Sequence, residues 1–122
     1  MIVVDDERNF AKRLAMEFEE QGFSARAITD GAEAREALER ERPDLVVLDV
    51  RMPGVDGIQC LRRLNAVHGS FTPPVILLTG DISPRVDAAA LVYPGSLVLT
   101  KPVGYDEVVD IARRLLAAAA AS

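Results

Sequence analysis

Leu45-Val46-Val47-Leu48-Asp49 is an unbroken apolar run that ends on a carboxylate. The chain repeats this device three more times. Val3-Val4 leads into Asp5-Asp6, Val75-Ile76-Leu77-Leu78 into Thr79, and Leu97-Val98-Leu99-Thr100 into Lys101-Pro102. Short runs of this kind read as strands buried on both faces, as in a parallel sheet covered by helices. The polar residues then share the C-terminal edge of one sheet, where open α/β sheets bind ligands. Three carboxylates, a hydroxyl and an ammonium converge there, a set that suits a divalent cation and a phosphoryl group.

The segments between these runs read as helices. Phe10, Leu14 and Phe18 are spaced i, i+4, i+8, with Ala11 and Ala15 beside them, and Gly22 is placed to end that helix. Phe23 to Thr29 alternates weakly and reads as a second, more exposed strand. Asp30 and Glu33 have capping-box spacing and open a helix with Ala34, Ala37 and Leu38 inward. Arg42-Pro43-Asp44 breaks it. Met52 to Gly57 reads as a loop, by its Pro and two Gly. A third helix follows, with Ile58, Leu61 and Leu64 on one side. Ser83-Pro84 opens a fourth, with Val86, Ala89 and Ala90 inward. The last runs from about Tyr105 and buries Val108, Val109, Ala112, Leu115 and Leu116. Five alternations of strand and helix imply right-handed crossovers and a parallel sheet.

The whole chain, residues 1–122, is the length of one domain. Apolar residues make up 49% of it, which excludes a disordered protein. A net charge of -5 argues against a direct nucleic-acid binder, which would usually carry a basic patch. No apolar stretch approaches the roughly 20 residues needed to span a bilayer. The first residues already form a strand, without the pattern of a secretion signal. The single Cys60 fits a reducing compartment, and a cytoplasmic location is expected. The run Ala117 to Ala121, with Ser122, reads as a frayed tail or an added remnant.

Asp5 and Asp6 are adjacent, yet both can approach one site where the chain turns at the strand end. Asp49 ends a strand that the chain order places beside the first. Three neighbouring carboxylates repel one another and need a cation or raised pKa values. Mg²⁺ uses only one or two carboxylates and keeps several waters. That leaves Asp49 open to a second role, because a carboxylate can attack phosphorus and form an aspartyl phosphate. Charge on the moving phosphoryl oxygens would then be met by the cation and by Lys101, and Thr79 offers a hydroxyl donor.

The ordered set Val-Val-Asp5-Asp6-Glu, Leu-Val-Val-Leu-Asp49-Val-Arg-Met-Pro-Gly-Val-Asp-Gly57, Val-Ile-Leu-Leu-Thr79-Gly80 and Leu-Thr-Lys101-Pro102 resembles the receiver domain of two-component response regulators, the CheY-like superfamily. The resemblance spans essentially the whole chain. It implies a flavodoxin-like, doubly wound (βα)5 fold with a five-stranded parallel sheet in the order 2-1-3-4-5. Asp49 would be the phosphoacceptor, taking its phosphoryl group from a histidine kinase or a histidine phosphotransfer protein. Asp5, Asp6 and Asp49, with the backbone carbonyl of Arg51, would hold Mg²⁺, or Mn²⁺ in its place. Thr79 would bond the phosphoryl group, Lys101 would pair with it, and the Lys101–Pro102 peptide would be cis.

Such a protein assists its own phosphorylation and dephosphorylation but is not otherwise an enzyme. Its output, or a homodimer contact, would use the fourth helix, fifth strand and fifth helix, with no membrane contact. The family often has Tyr or Phe three residues before the Lys, a ring that swings inward on phosphorylation. Val98 stands there, so the switch would act through Thr79 without a large ring rotation. Arg51 and Asp81 would flank the path of water to the acceptor.

Rival readings fit less of the sequence. A haloacid-dehalogenase-type phosphohydrolase usually has a second Asp two residues after its nucleophile, and position 51 is Arg. A nucleotide-binding flavodoxin-like domain needs a Gly-rich first turn, which is missing here. An unphosphorylated receiver-like interaction module would not require the complete acceptor set. Asp56 and Gly57 read as turn and cap residues, and His68 as a surface residue near a helix end. Cys60 reads as a small helical packing residue, and Phe10, Phe18 and Phe71 as packing residues.

Overall fold

The computed structural model describes residues 1–52, 54–69, 72–80, 93 and 95–121. The strands are β1 (Ile2–Val4), β2 (Arg26–Ile28), β3 (Val46–Asp49), β4 (Arg51–Met52), β5 (Val55–Asp56), β6 (Val75–Thr79) and β7 (Ser96–Thr100). The helices are α1 (Arg8–Glu20), α2 (Gly31–Arg40), α3 (Gly57–His68) and a C-terminal helix, Tyr105–Ala121. Five strands form one parallel sheet in the order β2-β1-β3-β6-β7, the expected 2-1-3-4-5 order. The fourth helix expected from Ser83, with Val86, Ala89 and Ala90, lies outside the described residues. So do Asp81 and Phe71. Among the described residues, no helix is long and apolar enough to cross a membrane.

Why the apolar runs lack alternation is plain from the two cores. Ile2, Val4, Val46, Leu48, Val75 and Leu77 pack on one face with Ala34, Ala37, Leu38, Ile58, Leu61 and Leu64 of α2 and α3. Val3, Leu45, Val47, Ile76 and Leu78 pack on the other, with Ala11, Leu14 and Phe18 of α1 and Val108, Val109 and Ala112 of the C-terminal helix. Successive side chains of a strand point to opposite faces, and here both faces are dry. β7 is an edge strand and keeps that logic in weaker form, with Val98 against the first core and Leu99 against the second.

Local chemistry sets the element ends. α1 closes in a Schellman motif: Gly22 adopts φ +93°, its N–H donates to Glu19 O, and the Phe23 N–H donates to Phe18 O. The Phe18 and Phe23 rings meet edge-on at 6.1 Å, the apolar contact that accompanies this cap. The turn takes up the start of the expected second strand, so β2 is only Arg26–Ile28. Asp30 caps α2 by accepting from Glu33 N–H. The alanine run, read as a frayed tail or an added remnant, is the end of the C-terminal helix, which runs through Ala121 in keeping with alanine's high helix propensity.

The segment read as a loop after Met52 is instead a small antiparallel ribbon, β4 with β5, with Gly54 at φ +73°. It folds the chain back so that Gly57 N–H donates to Val50 O at 2.8 Å. A Cβ at Gly57 would lie 2.5 Å from Asp49 O and 2.7 Å from Val50 Cα. Only glycine permits this approach, which seats the start of α3 against the end of β3. Gly57→Ala should therefore lower stability by about 2 kcal/mol through backbone overpacking, read as a lower urea midpoint at unchanged m-value.

His68 also departs from its sequence reading. It is buried, and its Nε2 lies 2.8 Å from Leu38 O. A carbonyl only accepts, so Nε2 carries the proton and ties α3 to α2. The long-range partner explains the burial; the helix-end position alone gave no sign of it.

Candidate functional site

Strand order places four side chains at one edge. β1 and β3 are neighbours, and their C-terminal ends deliver Asp5 and Asp49 at the point where the sheet's order reverses. β6 ends on Thr79, and the Lys101 N–H beyond β7 donates to Thr79 O at 2.7 Å. Asp5 is fully buried, Asp49 and Thr79 are nearly so, and Asp6 is exposed. The Lys101–Pro102 peptide is cis.

The two buried carboxylates are each held from their own loop. Asp5 Oδ1 accepts from Glu7 N–H at 3.0 Å, and Asp49 Oδ1 from Arg51 N–H at 3.2 Å. Their other oxygens face one ammonium: Lys101 Nζ lies 2.9 Å from Asp5 Oδ2 and 3.5 Å from Asp49 Oδ2. The Arg51 side chain is exposed, so this residue approaches Asp49 through its backbone. Asp56 serves as the expected cap, accepting from Ile58 N–H at 2.9 Å, and Cys60 is buried on α3.

The electrostatics follow from this crowding. Burial, and then the neighbouring Asp5 carboxylate, push Asp49 up from 3.8 to about 6, against the Arg51 N–H and the Lys101 charge. Burial alone would lower Lys101, but its hydrogen bond to Asp5 and the charges of Asp5 and Asp49 outweigh it and raise the group. Burial likewise pushes the Cys60 thiol up, away from thiolate chemistry.

Asp5, Asp6 and Asp49 each present an oxygen within 4.8 Å of the others. All three donors are hard oxygens and one pair is desolvated. This set fits Mg²⁺ better than a softer metal that favours nitrogen or sulfur. Lys101 offsets one of the three negative charges, which leaves room for a divalent cation.

Sequence reading missed the aromatic side of this site. Lys101 Nζ lies 5.4 Å from the centroid of the Phe10 ring, and that ring is 5.5 Å from Tyr105. Phe10 faces the site edge as well as the core, so its i, i+4 spacing identified only half of its role.

The parallel α/β sheet carries an acidic trio, a hydroxyl and a lysine at its switch point, the arrangement of a receiver-like α/β domain. The response regulator receiver domain family matches residues 1–113, and the chain belongs to that family. It is 36% identical over 116 residues to the probable transcriptional regulatory protein TcrX of Mycobacterium tuberculosis, covering 95% of this chain and 49% of TcrX. Sporulation initiation phosphotransferase F of Bacillus subtilis is 28% identical over 117 residues, covering 95% of this chain and 92% of that protein. Among solved structures, the receiver domain of the Francisella response regulator 1452 has a TM-score of 0.83 at 31% identity, covering 97% of this chain and 96% of that one. The chain spans about half the length of TcrX and of the MprA response regulators it also matches.

Proposed function

We propose that residues 1–122 act as one phosphorylation-driven switch in which Asp49 is the acceptor. The observation that carries this reading is the division of labour at Asp49. One oxygen is held by Arg51 N–H, and the other faces the Lys101 ammonium at the open edge of the sheet. The donor would be a phosphohistidine on a histidine kinase or a phosphotransfer protein. Asp49 Oδ2 attacks phosphorus, the P–N bond breaks, and its electron pair returns to the imidazole nitrogen.

The chain's own residues divide the remaining tasks. Asp5, Asp6, Asp49 and the Arg51 carbonyl hold Mg²⁺, which when bound neutralises charge on the phosphoryl oxygens. Lys101 pairs with one of those oxygens, and the Thr79 hydroxyl donates to another. The domain turns over no independent substrate. It works in the cytoplasm, where a kinase can reach it. Output and homodimer contacts use β7 and the C-terminal helix, together with the fourth helix expected from the sequence.

Thr79 is the coupling element in this account. Val98 is small, stiff at χ1 and packed against the core, so little volume changes hands there. With beryllofluoride and Mg²⁺ as a phosphoryl mimic, amide NMR shifts should spread from Asp49 through Thr79 and Gly80 into residues 96–100. Thr79→Ala should confine them to the immediate site. An equal spread in Thr79→Ala would show that its hydroxyl does not couple phosphate to output. An absence of Mg²⁺-dependent shifts in the wild type would count against the function itself.

A further inference from the structure

Lys101 carries its charge on a flexible four-carbon stem, so something must fix where that charge sits. Among the described residues, three groups lie around Nζ: Asp5 Oδ2 at 2.9 Å, Asp49 Oδ2 at 3.5 Å and the Phe10 ring at 5.4 Å. The last distance lies within the range of a cation–π contact. Phe10 sits near the start of α1, just after the turn bearing Asp5 and Asp6. Tyr105 begins the C-terminal helix, just after the turn bearing Lys101. Their rings stack tilted by 33° at 5.5 Å and so clasp the two turns together. Arg13 lies 5.8 Å from the outer ring while its guanidinium pairs with Glu17 at 3.0 Å.

The three restraints on Lys101 differ in kind. Asp5 and Asp49 are charged and have other work in the proposed reaction, so their hold on the ammonium weakens when they serve a metal or a phosphoryl group. The Phe10 ring has no competing ligand. We infer that Phe10, backed by Tyr105, is a positioning residue that keeps the Lys101 ammonium over Asp49 when the carboxylates are otherwise engaged. The consequence for phosphoryl transfer rests on the function proposed above, whereas the placement of Lys101 does not.

Two readouts separate these parts. The first is the ε-methylene proton shift of Lys101 in selectively lysine-labelled protein, which the ring current of Phe10 displaces. Phe10→Leu should remove that displacement, and Phe10→Tyr should keep it. The second is the rate of labelling by acetyl phosphate at saturating Mg²⁺. It should fall about fivefold in Phe10→Leu and stay within about twofold of wild type in Phe10→Tyr. Tyr105→Leu leaves Phe10 in place without its backing ring; it should give the same changes at smaller size, and it substitutes if Phe10→Leu does not fold. Unchanged Lys101 shifts in Phe10→Leu or Tyr105→Leu would overturn the positioning role. Lost shifts with an unchanged rate would overturn its importance for transfer. If no protein is labelled, the proposed function fails, and the NMR shifts still decide whether Phe10 holds Lys101.

Discussion

Asp49→Asn should make the metal-free protein more stable at pH 7.5, although it removes the proposed reactive group. Asp49 titrates at about 6 in the folded chain against 3.8 for an unperturbed carboxyl, because burial and the Asp5 charge disfavour its ionisation. Between these values the folded state retains a proton that the unfolded state has released. The associated stability is fully present below pH 3.8 and is lost as pH rises through about 6. That displacement corresponds to about 3 kcal/mol, or a melting-temperature change on the order of 10 °C. Asparagine has no such ionisation, so the variant's melting temperature should be higher at neutral pH and flatter between pH 4 and 7. Mg²⁺ should stabilise the wild type by mass action, with Asp6→Ala and Asp49→Asn each removing most of the rise. Differential scanning calorimetry across pH, with EDTA and then with Mg²⁺, checks both signs.

Lys101→Ala should act in the opposite direction. Asp5 is fully buried, and Lys101 Nζ at 2.9 Å is the cation that its Oδ2 contacts. Removing one partner of a buried pair leaves an uncompensated charge, at a cost of about 3 kcal/mol. The Lys101 side chain is 26% exposed, so water softens the loss but cannot reach Asp5 well enough to replace the bond. The melting temperature of metal-free Lys101→Ala should fall on the order of 10 °C at pH 7.5. Mg²⁺ should recover more of it than it adds to the wild type, because the site then lacks its resident cation. A variant as stable as wild type without metal would show that Asp5 does not depend on Lys101. The two substitutions thus separate the repulsive and attractive halves of one site.

The edge where these groups meet was legible because three apolar runs stop on Asp5, Asp49 and Thr79, and the fourth stops at Thr100, one residue before Lys101. Buried strands must be apolar throughout, so the first polar residue marks the place where the chain leaves the core. Turn chemistry was legible for the same local reason at Gly22, Asp30 and Asp56, whose partners lie within a few residues. Contacts made across the fold left no such trace. His68 finds Leu38 thirty residues away, and Phe10 meets Lys101 from the other end of the chain. Gly57 looked like a cap residue, and the need for glycine emerged only when the β4–β5 ribbon brought it against Val50.

The proposed role of Asp49 is tested most directly by intact mass spectrometry after incubation with acetyl phosphate and Mg²⁺. Wild type should gain a single phosphoryl group in an acyl linkage that survives acid and is lost in base. EDTA should prevent the gain, and Asp49→Asn should show none. Equal labelling of wild type and Asp49→Asn would contradict the assignment of Asp49 as the acceptor.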